Sequence, residues 1–323
     1  MDKYILGFAL LSMFSVIYLR LAEYFNIIDK PNERSSHTVP IIRGGGVLFL
    51  IAVWIFFFIA DFQYPYLVFG VSLIGGISFI DDLKTLSSKI RLPFQFFAIF
   101  LILAQVGLFS SAWWMIGILS VLGVGFINIY NFMDGINGIT GLYSLAVLSG
   151  FYAINMHEPI VNSDLLIYIA LSLLVFGYYN FRKKARFFAG DVGSISIAIV
   201  FFFLGAAFIN ELSSPLILLL VIVYAADAIS TVFYRIFIGE SITEAHRHHI
   251  YQKLVDIFGI THLKISIGYA FLQVLINYIV YKSYDFPRSA QYKIFFGIIL
   301  FFEILYLILF LVLNKRKHTL SKL

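Results

Sequence analysis

Residues 193–210 read GSISIAIVFFFLGAAFIN, eighteen positions without an Asp, Glu, Lys, Arg or His. A helix of that length rises about 27 Å, close to the roughly 30 Å hydrocarbon core of a bilayer. Before it stand the basic run Arg182–Arg186 and Asp191, and after it comes a short turn-rich segment, Glu211–Pro215, then another apolar stretch. Moving outward in both directions, the same pattern recurs. Breaking the chain at charged or turn-rich stretches gives about eleven spans, at 4–25, 46–61, 65–80, 92–109, 112–131, 139–156, 165–181, 193–210, 215–237, 265–282 and 292–313. Backbone polar groups in hydrocarbon have to be satisfied internally, and long non-alternating apolar runs do this as helices. The expected fold is all-α: a polytopic integral membrane protein of about eleven transmembrane helices, with residues 1–323 forming a single transmembrane domain.

Composition excludes the main competing classes. The chain is 61% hydrophobic and only 13% charged, with a mean hydropathy of +0.92, whereas soluble domains carry roughly 25% charged residues. With no cysteine, disulfides, thiolate nucleophiles and Cys-ligated metals are out. The net charge of +5 lies in short clusters between apolar segments, the signature of membrane topology and not of nucleic-acid binding. The first apolar run, Tyr4–Phe25, is too long for a signal peptide and lacks a small-x-small site after it, which marks it as a retained span. Of the 23 Lys and Arg residues, eighteen fall on one side of the alternating spans and four on the other, with Arg20 inside the first span. The positive-inside rule then places the N-terminus outside and the C-terminus in the cytoplasm. Every long polar segment falls on the cytoplasmic side.

Five of those inner segments contain residues that topology statistics leave unexplained. Asp29 through Gly46 includes Lys30 and ends in Arg43-Gly44-Gly45-Gly46; three glycines opening a helix either admit an anion close to the backbone or serve as a flexible link. Asp81-Asp82, followed by Lys84, Lys89 and Arg91, puts adjacent carboxylates at the end of an apolar helix. They repel there unless a cation or proton sits between them. Asn128, Asn131, Asp134, Gly135, Asn137 and Gly138 gather oxygen ligands and amide donors at a helix end, with Asn128 and Asn131 sharing a face. Gly190-Asp191-Val192-Gly193-Ser194 brings a carboxylate and unpaired backbone N–H groups to a helix N-terminus, suited to metal and phosphate together or to plain capping. The fifth, Glu244-Ala245-His246-Arg247-His248-His249, lacks metalloprotease spacing and suits phosphate contact or acid–base work. Asp227 lies inside the ninth span, where an ionisable residue is either functional or a paired structural carboxylate, with Arg235 as the candidate partner.

In this order, the five segments resemble the polyprenyl-phosphate N-acetylhexosamine-1-phosphate transferases, the superfamily of bacterial MraY and WecA also called glycosyltransferase family 4. The resemblance spans about residues 29–255, and the wording of the first and fifth segments is closer to the WecA-like branch serving surface polysaccharide. Two departures stand out: Arg247 interrupts the three consecutive histidines of the muramoyl-pentapeptide branch, and Asn137 replaces the second Asp of Asp-Gly-x-Asp-Gly, keeping an acceptor but losing the charge.

The resemblance implies transfer of a sugar-1-phosphate, N-acetylhexosamine-1-phosphate being the expected group, from a UDP-sugar to undecaprenyl phosphate. UMP is released at the cytoplasmic face of a bacterial inner membrane, and the product starts a lipid-linked polysaccharide such as O-antigen or a cell-wall polymer. It implies Mg²⁺, with Mn²⁺ as the alternative ion, held by Asp191 and Asp134. It implies catalytic roles for Asp81, Asp82, Asp134 and His249, and substrate contacts from Lys30, Arg43, Gly44, Gly45, Lys84, Asn128, Asn131, Asn137, Asn180, His246, Arg247 and His248. The expected partners are undecaprenyl phosphate, a UDP-N-acetylhexosamine, the bilayer and, as oligomer, a homodimer. The alternatives are a muramoyl-pentapeptide-1-phosphate transferase and, from a different class, a secondary transporter, which calls for midplane charges and paired broken helices.

Overall fold

The computed structural model describes residues 2–29, 40–241 and 247–320. Lys30 and His246 lie outside these residues. Twelve α-helices follow one another: α1 (Asp2–Tyr24), α2 (Val47–Ile59), α3 (Pro65–Leu83), α4 (Ser88–Gln105), α5 (Trp113–Phe132), α6 (Ile139–Asn155), α7 (Ser163–Asn180), α8 (Gly190–Leu212), α9 (Ile222–Phe237), α10 (Ile250–Phe258), α11 (His262–Ser283) and α12 (Arg288–Leu320). Among the described residues, nine segments are long and apolar enough to cross a membrane by length and composition. In one of them, Pro215–Phe237, the 3-10 helix Pro215–Val221 runs directly into α9. The apolar helices α2 and α6 are shorter. Each of these segments falls at one of the eleven expected spans, in order, and nine of them reach spanning length. Two elements were not expected. A two-residue antiparallel ribbon pairs β1 (Ile28–Asp29) with β2 (Ile41–Ile42), a small departure from an all-α chain. The nine-residue α10 follows the histidine segment.

The segment that opened the sequence reading, α8, is the most enclosed span, while α1 and α12 are the most exposed. Helix α8 packs against α3 and α5, and α3 also packs on α4; a second group joins α6 to α7 and α11. Outward-facing Phe69, Phe97, Leu122 and Phe296 are exposed, as expected where the solvent is hydrocarbon.

The join of the 3-10 helix to α9 breaks the regular ladder of hydrogen bonds, and in an apolar interior the freed groups need partners. Gln273 of α11 supplies them. Its Oε1 accepts from the Val223 N–H (3.2 Å) and its Nε2 donates to the Leu219 carbonyl (3.0 Å). Tyr143 Oη donates to the same Oε1 (2.8 Å), and Asn277 extends the chain to the Ala146 carbonyl (2.6 Å).

The connections between spans collect at two ends. At one end Lys3 pairs with Asp164 (2.5 Å), Asn162 donates to Tyr64 (3.0 Å), Tyr281 meets His157 (2.6 Å) and Arg288 donates to the Leu212 carbonyl (2.9 Å). These are segments that the alternation assigns to a single side. The opposite end carries the described parts of the five segments rich in polar chemistry.

Candidate functional site

The site is organised around the first turn of α8. Asp82, near the end of α3, has a fully buried side chain and accepts from the backbone N–H groups of Asp191 (2.9 Å) and Val192 (3.1 Å). It thus caps α8 from another helix, placing an anion on the positive end of the helix dipole. Gly190 makes this approach feasible. It has a φ of +70°, and a methyl group there would meet Asp82 Oδ2 at 2.5 Å, so only glycine satisfies both backbone and space.

Two arginines neutralise the acids. Arg43 Nε lies 2.7 Å from Asp82 Oδ1, and its Nη2 lies 3.2 Å from Asp191 Oδ1. Arg91 Nη1 lies 2.8 Å from Asp81 Oδ2 and 3.4 Å from Asp191 Oδ2. Asp81 Oδ1 also accepts from the Leu86 N–H (2.5 Å), folding the short α3–α4 link back onto the site. Burial opposes the charge on Arg43, but Asp82 and Asp191 outweigh it and hold the guanidinium above its ordinary value. Asp191 is the most loosely held acid of the three, with both guanidinium contacts longer than 3 Å. Arg91 Nε is buried with no partner among the described residues, an unspent donor beside that carboxylate.

The α5–α6 turn borders this group. Ser194 donates to Asn131 Oδ1 (2.6 Å), fastening α8 to α5. Asp134 accepts from Thr140 Oγ1 (2.5 Å) and lies near enough to Asp82 and Arg43 for their charges to act on it. Burial lifts its carboxyl from 3.8 to about 6, against the Thr140 hydrogen bond. Asn128 faces away from this turn: its Nδ2 donates to Gln95 (2.9 Å) and to the Val124 carbonyl (2.8 Å).

Three expectations change in the light of this geometry. The glycine run approaches another stretch of protein backbone: the Gly45 N–H donates to the Phe188 carbonyl (2.8 Å) and the Gly46 N–H to that of Ala189 (3.0 Å). Gly46 also lies directly against Gly193, so Gly45 and Gly46 hold the Arg43 loop to the start of α8. Asn137 and Asn180 tie loops together. Asn137 Nδ2 donates to the carbonyls of Arg182 (3.1 Å) and Lys183 (3.2 Å); Asn180 accepts from the Gly138 N–H (2.7 Å) and donates to the Phe187 carbonyl (2.7 Å). Asn180→Ala should therefore leave two buried backbone groups unpaired and cost about 2–4 kcal/mol of stability, read as a drop in thermal midpoint in detergent; an unchanged midpoint would contradict this role. Finally, Asp227 pairs with His249 (Nδ1 to Oδ1, 3.3 Å), while Arg235 reaches Glu240 (3.5 Å) and the Ser241 carbonyl.

The histidine segment is folded onto α9 and α10. Arg247 forms a two-point contact with Asp256 (2.8 and 3.1 Å), and His248 pairs with Glu240 (2.9 Å). Burial lowers the His248 pKa, partly offset by Glu240. His249 is buried and stacks on Tyr251, whose hydroxyl donates to the Phe132 carbonyl (3.2 Å) and packs on Gly135. Tyr251 thus joins the histidine segment to the Asp134 turn. Lys84 is exposed at the end of α3. Sequence reasoning overlooked Thr140 and Tyr251 as parts of the site; Arg91 and Ser194 stood in the segments singled out, and the structure adds their partners, Asp81 and Asp191 for Arg91 and Asn131 for Ser194.

Among the described residues no three His or acidic side chains are placed to enclose a metal unaided. Mg²⁺ commonly takes one or two carboxylates and completes its shell with phosphate oxygens and water. The loosely paired Asp191, and Asp134, which senses the charges of Asp82 and Arg43, are carboxylate donors of the kind that fit such an ion.

A family model described as glycosyl transferase family 4 matches residues 64–209. The match covers Asp81, Asp82, the α5–α6 turn and the start of α8, and ends before the histidine segment. It supports a membrane transferase of sugar or sugar-phosphate groups. A search of curated proteins finds no match.

Proposed function

We propose that this chain transfers a sugar-1-phosphate from a UDP-sugar to a polyprenyl phosphate at the cytoplasmic face of a bacterial inner membrane. The observation that carries this reading is the array Asp82–Arg43–Asp191–Arg91–Asp81 at the head of α8, whose members other than Arg43 lie inside the region matched by the family model. Phosphoryl transfer asks of a protein mainly positioning and charge neutralisation, and alternating carboxylates and guanidiniums beside a helix N-terminus provide both. The donor we favour is a UDP-N-acetylhexosamine, the acceptor undecaprenyl phosphate, and the pathway one of the WecA-like surface-polysaccharide routes.

In this mechanism an oxygen of the lipid phosphate attacks the sugar-bearing phosphorus, the bond to the UMP oxygen breaks, and that oxygen leaves with its electron pair. The second pKa of a phosphomonoester is near ~6, so the nucleophile is largely ionised at neutral pH and needs no strong base. Asp191 and Asp134 would hold Mg²⁺, which when bound neutralises charge on the diphosphate. Asp82, saturated by Arg43 and two backbone donors, acts as a positioning residue. Asp81 orients Arg91. Asn131, Arg43, Arg247 and His248 would contact the nucleotide and sugar.

The decisive assay is UMP release by purified protein with undecaprenyl phosphate and a panel of UDP-sugars, with and without Mg²⁺. Release that depends on both lipid and ion supports the reading and identifies the donor; folded protein that releases no UMP from any member overturns it. A pH dependence follows. Because burial lifts Asp134 to about 6, its carboxylate is ionised above that pH and protonated below it. Activity at limiting Mg²⁺ should fall as pH drops through about 6, and saturating Mg²⁺ should move the fall to lower pH because the ion competes with the proton. A fall that does not move with Mg²⁺ would remove Asp134 from the ion's ligands.

A further inference from the structure

We propose that Asp227 is a positioning residue that orients the His249 ring and keeps a hydrogen on its Nδ1, the nitrogen that faces the carboxylate. Its catalytic consequence rests on the function proposed above; the hydrogen on Nδ1 does not.

Asp227 lies within α9 and has no exposed surface, a costly place for a carboxylate unless it is fully hydrogen-bonded. It is met from four sides. The backbone N–H groups of Ile250 and Tyr251, in the first turn of α10, reach Oδ1 and Oδ2 (3.0 and 3.4 Å). Tyr269 of α11 donates to Oδ2 (2.6 Å), and Thr231, one turn along α9, donates to Oδ1 (3.2 Å). His249 Nδ1 completes the set at 3.3 Å from Oδ1. Backbone N–H groups can only donate, and they occupy both oxygens, so the carboxyl serves as an acceptor throughout. A nitrogen facing such an acceptor has to carry the hydrogen.

The same contacts fix where the ring sits. His249 precedes α10 in an extended conformation, with φ −57° and ψ 143°, and Asp227 caps that helix in place of a local side chain. Its ring is 3% exposed and lies nearly parallel to Tyr251, with ring centroids 5.6 Å apart at 20°. Tyr251 in turn is bound to the Phe132 carbonyl beside Asp134. A buried acid in a membrane helix thus sets the orientation, the Nδ1 hydrogen and the attachment of one imidazole to the turn that carries a proposed metal ligand. The neighbouring pairs, Arg247 with Asp256 and His248 with Glu240, do not include Asp227.

Nitrogen NMR of ¹⁵N-histidine-labelled full-length protein tests this without altering Asp227. The chain has seven histidines, and subtracting the His249→Gln spectrum assigns the signal. A hydrogen on Nδ1 is expected; an Nδ1 that carries none overturns the proposal. UMP release gives the second readout. Asp227→Asn should lower kcat roughly 10- to 100-fold, with KM for the UDP-sugar within about 3-fold, yet cost less than about 2-fold when His249 is already Gln. Equal losses in both backgrounds would reduce Asp227 to a structural residue. If no UDP-sugar supports release, the function proposed above fails, and the NMR result still decides whether Nδ1 carries the hydrogen.

Discussion

Replacing Asp191 with Asn should lower Mg²⁺-dependent UMP release by about 10³-fold or more, on the order of 4 kcal/mol of transition-state stabilisation. The size follows from the place of this carboxylate. It is the acid at the head of α8 that holds its guanidinium partners at 3.2 and 3.4 Å, while Asp82 and Asp81 keep theirs at 2.7 and 2.8 Å. Its structural obligations are light, and Asn is close to it in shape. The backbone N–H of residue 191 remains available to Asp82, so the variant should fold, with a thermal midpoint near the parent's. The loss should appear mainly in kcat and in the Mg²⁺ concentration needed for half-maximal rate. A variant with parental turnover and parental Mg²⁺ dependence would remove Asp191 from the chemistry.

Gly46→Ala should have the largest effect on stability. An added methyl would lie well inside 3.0 Å of the Gly193 Cα and 2.8 Å from the Ala189 carbonyl oxygen. Both obstacles are backbone, so no side chain can rotate away, and the cost falls at or above the upper end of ordinary overpacking, about 3 kcal/mol. The same exchange at Gly76 meets nothing within 4 Å and should be neutral, or stabilising by about 0.5–1 kcal/mol through helix propensity. Thermal melts of the two variants beside the parent make the comparison. A Gly46→Ala protein as stable as Gly76→Ala would mean that the loop and α8 can separate at little cost.

Most of the architecture was legible because a bilayer imposes a length and a polarity that few sequences meet by accident. The span expected at 193–210 is α8 within a few residues, and even the short α2 and α6 announced themselves by composition. What escaped notice lacked that signal. Helix α10 is brief and amphipathic, and it follows a polar segment. The apolar run Pro215-Leu-Ile-Leu-Leu-Leu-Val221 is hydrophobic on every side, so nothing in it distinguishes a 3-10 helix from an α-helix. The last helix continues to Leu320, past the expected 313, because its basic end is polar without being a helix breaker.

In the site, acids were legible and their partners were not. A carboxylate near lipid demands an explanation, so Asp81, Asp82, Asp134 and Asp191 stood out. Arg91 stood in the same segment as Asp81 and Asp82, but nothing in the sequence shows that it pairs with Asp81 and reaches Asp191. Asn137 and Asn180 show a different limit. An amide has the same donors and acceptors whether it faces a nucleotide or a neighbouring carbonyl, and only the folded chain shows that theirs bind loops. Asp227 was recognised as unusual, but its partner is His249, 22 positions away and across a helix end, and not the Arg235 that shares its helix.

The arginines that bridge the acids at the head of α8 bear on how such a protein is made. Three carboxylates facing one another would push the polar ends of α3 and α8 apart during assembly. Two guanidiniums reduce their combined formal charge to a single negative unit, so the helices can dock in a newly inserted chain with no bound ion to bridge them. The chain's own side chains thus supply the balance of charge that lets these helices settle in the membrane.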